Sequence, residues 1–261
     1  MLRERVITAI FLLLGFIFSV FFSTPQQFIW VMAGIAIIAG WEWVRLIMDK
    51  PTWWHFLGFF SAMFLVISLV PTNPYWLTVF YILFWLHALR VILRFPETRA
   101  LNFPVINFVV GVVLAAATFW SGLYLYNESP WLLLFAFVCI WSADIGAYFA
   151  GRQFGRRKIA PNVSPGKTWE GYFGGLLWVV LLLVIANTQI EPAYSYVGMI
   201  IAGVLLHAAS VIGDLFESMF KRHRNMKDSS QLLPGHGGVL DRIDSVIAAL
   251  PLFALAHGWL A

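Results

Sequence analysis

Apolar residues in this chain fall in long continuous runs instead of alternating with polar ones. A helix needs about 20 mostly apolar residues to cross a bilayer, whereas a membrane-spanning β-strand would show apolar/polar alternation. Reading for such runs predicts nine spans, at 6–22, 28–47, 55–70, 75–95, 104–126, 131–150, 172–186, 195–213 and 246–260. Arg3 and Arg5 ahead of the first run resemble the charged start of a signal peptide. No small-residue cleavage pattern follows and a second run begins at once, so the first is read as a retained span. The expected fold is all-α, a polytopic helical membrane protein with about nine transmembrane helices.

The polar connections alternate in character. Residues 23–27, 71–74, 127–130 and 187–194 contain no Lys or Arg, and all 17 basic residues lie in the other set: the N-terminus, 45–54, 90–103, 151–171 and 214–245. Basic loops stay in the cytoplasm. The N-terminus is therefore expected inside and the C-terminus on the periplasmic side, which an odd number of spans satisfies. Two parts are expected, 1–130 with about five N-terminal spans and 131–261 with about four spans and the two long cytoplasmic loops, 151–171 and 214–245.

Composition narrows the class. Of 261 residues, 61% are hydrophobic and 11% charged, against about 25% charged in an ordinary soluble domain. That excludes a soluble enzyme, a disordered chain and a DNA-binding domain. One cysteine, Cys139, excludes a disulfide framework and a Cys-based zinc site. The net charge of +4 is no argument for a polyanion partner, since orientation accounts for much of it.

Asp144 lies inside the sixth run, in Trp141-Ser-Ala-Asp-Ile-Gly-Ala-Tyr148. A carboxylate at membrane depth costs about 2.5–3.5 kcal/mol on insertion scales, so it faces a polar cavity or a partner. A packing hydrogen bond, to Tyr148 for example, is the plainer alternative. The 151–171 loop ends Ser164-Pro-Gly-Lys-Thr-Trp-Glu-Gly171. Gly-Lys-Thr looks like the end of a P-loop, but Pro161 stands where that motif needs Gly, and no strand is expected before it. What remains is a basic, Gly-rich loop entering a helix, where backbone amides and Lys167 can meet an anion. Orientation or lipid-headgroup contact suffices for Arg156, Arg157 and Lys158.

The eighth run continues into Asp214, Glu217, Ser218 and Lys221, whose spacing puts them on one helix face. Lys227-Asp228, His236-Gly237-Gly238 and Asp241-Arg242-Ile-Asp244 follow. Carboxylates suit Mg²⁺, which bridges to substrate phosphates, and Lys221, Arg222, Lys227 and Arg242 suit a multiply charged phosphate. The alternative is a salt-bridged, solvated loop. Trp141, Trp169 and Tyr172 are candidates for stacking on a base.

From Ser218 to Asp244, the pattern Ser-x-Phe-Lys-Arg, then Lys-Asp-x-Ser, then Leu-Pro-x-His-Gly-Gly-Val-x-Asp-Arg-Ile-Asp resembles the signature of the bacterial phosphatidate cytidylyltransferase family, also known as CDP-diacylglycerol synthases. The resemblance covers about residues 141–245. It implies an inner-membrane enzyme that joins CTP and phosphatidate into CDP-diacylglycerol and pyrophosphate with Mg²⁺. Asp214, Asp241, Lys221 and Asp144 are then the catalytic candidates. Asp214 and Asp241 would hold the metal, with Asp144 or Asp244 joining them. Lys167, Ser218, Arg222, Lys227, Asp228, His236, Gly237, Gly238 and Arg242 would bind substrate. CTP, phosphatidate and membrane lipids are the expected partners, nucleic acid is not, and a homodimer is left open. A polyprenol-type lipid kinase and a transporter are the competing classes.

Overall fold

The computed structural model describes residues 2–69, 77–189 and 195–260. Among these residues it has nine α-helices: α1 (Leu2–Phe22), α2 (Pro25–Ile47), α3 (Trp53–Leu69), α4 (Leu77–Leu93), α5 (Pro104–Glu128), α6 (Pro130–Phe154), α7 (Trp169–Asn187), α8 (Tyr196–His223) and α9 (Leu240–Leu260). Each predicted span falls on one of them. Six, namely α1, α2 and α5 to α8, are long and apolar enough to cross a membrane, while α3 and the apolar part of α4 are shorter. The predicted ends at 70 and 75–76 lie outside the described residues.

Two of the polar connections that lack basic residues, 23–27 and 127–130, are helix-start signals. Thr24 caps α2 in a reciprocal capping box with Gln27, and Pro25 takes the first helical position. Ser129 caps α6 by accepting from the Trp131 amide, and Pro130 takes the first helical position. Small residues let α6 and α7 pack backbone to backbone. A Cβ on Gly175 would stand 2.6 Å from the Ala143 carbonyl oxygen, and one on Gly146 would stand 2.8 Å from Trp178 Cβ.

Two features differ from the sequence reading. The 151–171 loop contains an antiparallel hairpin, β1 (Lys158–Ala160) and β2 (Ser164–Thr168), so a strand does carry Lys167 into α7. Pro165 and Gly166 are poor strand formers, and pairing with β1 overrides them. Glu170 secures the base of the hairpin by accepting from the Arg156 amide at 2.9 Å and the Arg157 amide at 3.2 Å. In addition, α8 continues as helix ten residues past the predicted end at 213, carrying the whole Asp214–His223 stretch. Helix regularity is what makes the 3-, 4- and 7-residue spacings there into one face.

Polar groups mark two opposite ends of the bundle. At one end Arg224, after α8, donates to the Met48 carbonyl and pairs with Asp49, both just after α2. Asn162 of the hairpin donates to Phe95 after α4, and Thr8 of α1 donates to Pro234. At the other end the Tyr126 hydroxyl donates to Ser23 between α1 and α2, at 2.6 Å. A single apolar core joins residues of both parts of the chain.

Candidate active site

A cavity of about 1400 Å³ opens at the first of these ends. Part of its wall is apolar: Phe11 and Phe16 of α1, Met32 and Ile35 of α2, Phe137 and Trp141 of α6. Its polar part holds Asp144, Lys167, Asp214 and Asp244, from α6, β2, α8 and α9. Lys221, Asp228, His236, Asp241 and Arg242 also line it. So do Trp141 and Tyr172.

Lys167 Nζ lies 2.6 Å from Asp214 Oδ2. Burial works against the Lys167 ammonium, but Asp214, Asp144 and Asp244 together outweigh it and hold its pKa above the usual lysine value. Asp144 lines the cavity and also makes hydrogen bonds between helices, with partners other than Tyr148. It accepts long hydrogen bonds from Ser210 of α8 and Ser245 of α9, each at 3.4 Å. Ser218 Oγ donates to Asp214 Oδ1 at 3.2 Å.

A second cluster surrounds Lys221, which is 6% exposed. Its ammonium donates to Glu217 and Asp241, both at 2.6 Å. The other Asp241 oxygen accepts from the Ser229 amide (2.9 Å), the Ser229 hydroxyl (2.9 Å) and the Gly238 amide (2.7 Å). Reaching back three residues to an amide is the capping-box geometry, and it starts α9. Gly237 supplies the turn with φ +85°, and a Cβ there would stand 2.7 Å from the Asp241 carboxylate.

Arg222, Lys227, Gly237 and Gly238 sit apart from the cavity lining. The Arg222 guanidinium is spent on backbone carbonyls, Nε to Val163 and one terminal nitrogen to Met226, both at 3.2 Å. It braces the hairpin against the end of α8. Lys227 is exposed. Gly237 and Gly238 shape the loop, and His236 lines the cavity with its Nδ1 buried and without a hydrogen-bond partner among the described residues.

The sequence reading missed Glu42. This α2 residue is 0% exposed and accepts from Ser229, Ser230, Val239 and Leu240. The signal was available: Glu42 is an acid within an apolar run, Trp41-Glu-Trp43, as Asp144 is. Arg152, at the rim of the cavity, was missed as well.

The donor set suits a hard cation. Five carboxylates (Asp144, Asp214, Glu217, Asp241, Asp244) share the region with two lysines, Lys167 and Lys221, so oxygen donors outnumber the ammonium groups there. Among the described residues no three His, Cys, Asp or Glu side chains form a metal-holding group. Mg²⁺ characteristically takes only one or two carboxylates and completes its shell with water and substrate phosphates, so the two observations are compatible.

Apolar side chains and a cluster of charged ones thus share one cavity within a bundle of apolar helices, the layout of a membrane enzyme. The chain matches the cytidylyltransferase family over residues 3–259, and it belongs to that family. It is 38% identical to the phosphatidate cytidylyltransferase of Haemophilus influenzae, over 97% of this chain and 98% of the relative. It is 36% identical to the phosphatidate cytidylyltransferase of Pseudomonas aeruginosa, over 99% of each.

Proposed function

We propose that the protein transfers CMP from CTP to phosphatidate, giving CDP-diacylglycerol and pyrophosphate. The observation that carries this reading is the single cavity with an apolar part and a charged part: acyl chains fit the first, and phosphates fit the lysines of the second. A phosphate oxygen of phosphatidate attacks the α-phosphorus of CTP, the new P–O bond forms, and the bond to pyrophosphate breaks. Both reactants are anions, so the chain's work is alignment and charge neutralisation. Lys167 and Lys221 face the phosphates from the polar part and Arg152 and Arg242 from the rim. No covalent enzyme intermediate is needed, because the lipid phosphate is itself a nucleophile. Mg²⁺ would be held by Asp214 and Asp241, with Asp144 or Asp244 beside them, and would supply positive charge between the CTP phosphates.

Orientation completes the reading. The protein sits in a bacterial inner membrane with nine crossings, its N-terminus and the cavity mouth in the cytoplasm and its C-terminus in the periplasm. The support is the confinement of all 17 basic residues to one set of connections.

The test is a transfer assay on purified protein with α-labelled CTP and phosphatidate in mixed micelles. Label should enter the lipid with release of pyrophosphate, chelation should abolish it and Mg²⁺ should restore it. Asp144→Asn, Asp214→Asn and Asp241→Asn should each lower the rate at least about 100-fold, and the Asp214/Asp241 double variant should lose little more, as groups acting as a unit do. Transfer of the γ-phosphate to lipid would identify a kinase, and solute flux without lipid product a transporter. Normal turnover by Asp214→Asn or Asp241→Asn would remove that residue from the metal set.

A further inference from the structure

We propose that Glu42 is a positioning residue for the reaction, holding the 229–240 loop so that Asp241 and Lys221 stay aimed at the cavity. Glu42 belongs to α2, well outside the Ser218–Asp244 stretch, yet among the described residues every hydrogen bond of its carboxylate goes to that stretch. Oε1 accepts from the Ser230 hydroxyl at 2.5 Å and the Val239 amide at 3.0 Å. Oε2 accepts from the Leu240 amide at 2.6 Å and shares the one Ser229 hydroxyl proton with Asp241, standing 3.2 Å from that oxygen. The two amides are at the start of α9, where backbone donors have no partner within the helix, so a carboxylate also complements the helix dipole there.

The link to the reaction centre is Ser229. Its hydroxyl stands between Glu42 Oε2 and Asp241 Oδ2, at 3.2 and 2.9 Å. Asp241 in turn carries Lys221 on its other oxygen. Glu42, Ser229, Asp241 and Lys221 thus form one buried chain from α2 to the cavity.

The geometry demands a carboxylate rather than any polar group of that length. Each Glu42 oxygen faces a backbone N–H, and a backbone N–H cannot reverse its role as a serine hydroxyl can. Glutamine would turn its NH₂ toward either the Val239 amide or the Leu240 amide, whichever way it sat. One donor-to-donor contact would push the start of α9, and Asp241 with it, away from the present position.

The inference rests on Asp241 belonging to the reaction centre, so Asp241→Asn is assayed beside the Glu42 variants. Glu42→Gln should fold and insert but show kcat about 10- to 100-fold lower, the cost of a shift of about 1 Å in an aligned group. KM for CTP should stay within about threefold, because Lys167, which pairs with Asp214 and lies outside this chain of contacts, remains. Glu42→Asp, which keeps both acceptors on a shorter arm, should recover part of kcat. If Glu42→Gln does not fold, Ser230→Ala removes one donor and leaves the carboxylate, and kcat should still fall several-fold at unchanged KM. Glu42→Gln with kcat within twofold of the parent overturns the proposal, as does activity lost only in proportion to the unfolded fraction. Normal kcat in Ser230→Ala, where Glu42→Gln is unfolded, overturns it too. Full activity of Asp241→Asn would instead sink the reading of the site itself.

Discussion

At the scale of single residues, adjacent basic side chains divide their labour. By charge both Lys221 and Arg222 suit a phosphate; the sequence makes Lys221, on the face of Asp214, a catalytic candidate and Arg222 a substrate ligand. The structure buries Lys221 between Glu217 and Asp241 and spends Arg222 on the Val163 and Met226 carbonyls. Removing one member of a buried ion cluster leaves uncompensated charge and costs about 3–5 kcal/mol. Lys221→Ala should therefore fail to accumulate or melt far below the parent in detergent. Arg222→Ala should lose about 1–3 kcal/mol from two charge-assisted hydrogen bonds and keep its KM for CTP within about twofold. A large rise in KM in Arg222→Ala, with normal melting, would return it to the substrate. The use of Arg222 on backbone carbonyls could not be read from the sequence, because it depends on which way a helix end turns. Asp144 was legible because an acid within an apolar run needs a polar neighbour. Glu42 obeys the same rule but stands closer to basic residues, where an acid passes for an interfacial one.

At the scale of elements, periodicity and run length located all nine helices, because continuous apolar runs have few alternatives. The hairpin was invisible, since its strands are three and five residues long and one carries Ser-Pro-Gly. What holds it is tertiary: Arg222 on Val163 and Asn162 on Phe95. Helix α9 shows a second tertiary dependence. Pro251 lies inside it and has no N–H to give the Ile247 carbonyl four residues back. Tyr81 of α4 supplies the missing donor at 2.8 Å, and Thr118 of α5 approaches the same oxygen at 3.5 Å. Tyr81→Phe should cost about 1–2 kcal/mol, the price of an unsatisfied buried carbonyl, read as a lower melting temperature in detergent. In a Pro251→Ala background the helix supplies its own donor, so the same change should cost clearly less. Equal costs in both backgrounds would mean that Tyr81 acts through packing alone.

At the scale of the whole molecule, two independent observations sort the connections the same way. Charge puts every basic residue in one set of connections. Hydrogen bonding ties members of that set to one another: Thr8 to Pro234, Arg224 to Met48 and Asn162 to Phe95. At the far end Tyr126 holds Ser23, and Tyr124 stands 3.1 Å from His257. The cavity opens among the first group, so the side on which CTP arrives and the side that retains positive charge should be one side. Cys139, the one cysteine in the sequence, is buried in α6, so the parent should label little with a membrane-impermeant maleimide. Glu128→Cys, in an exposed position at the last residue of α5, should label in cells whose outer membrane has been made permeable. Lys50→Cys, exposed between α2 and α3, should label only after the inner membrane is opened. The reverse pattern would invert the orientation and put the charged part of the cavity on the side that lacks CTP. Labelling of both before opening would mean that α3, α4 and α5 cross an even number of times between them, and the count of nine would fall.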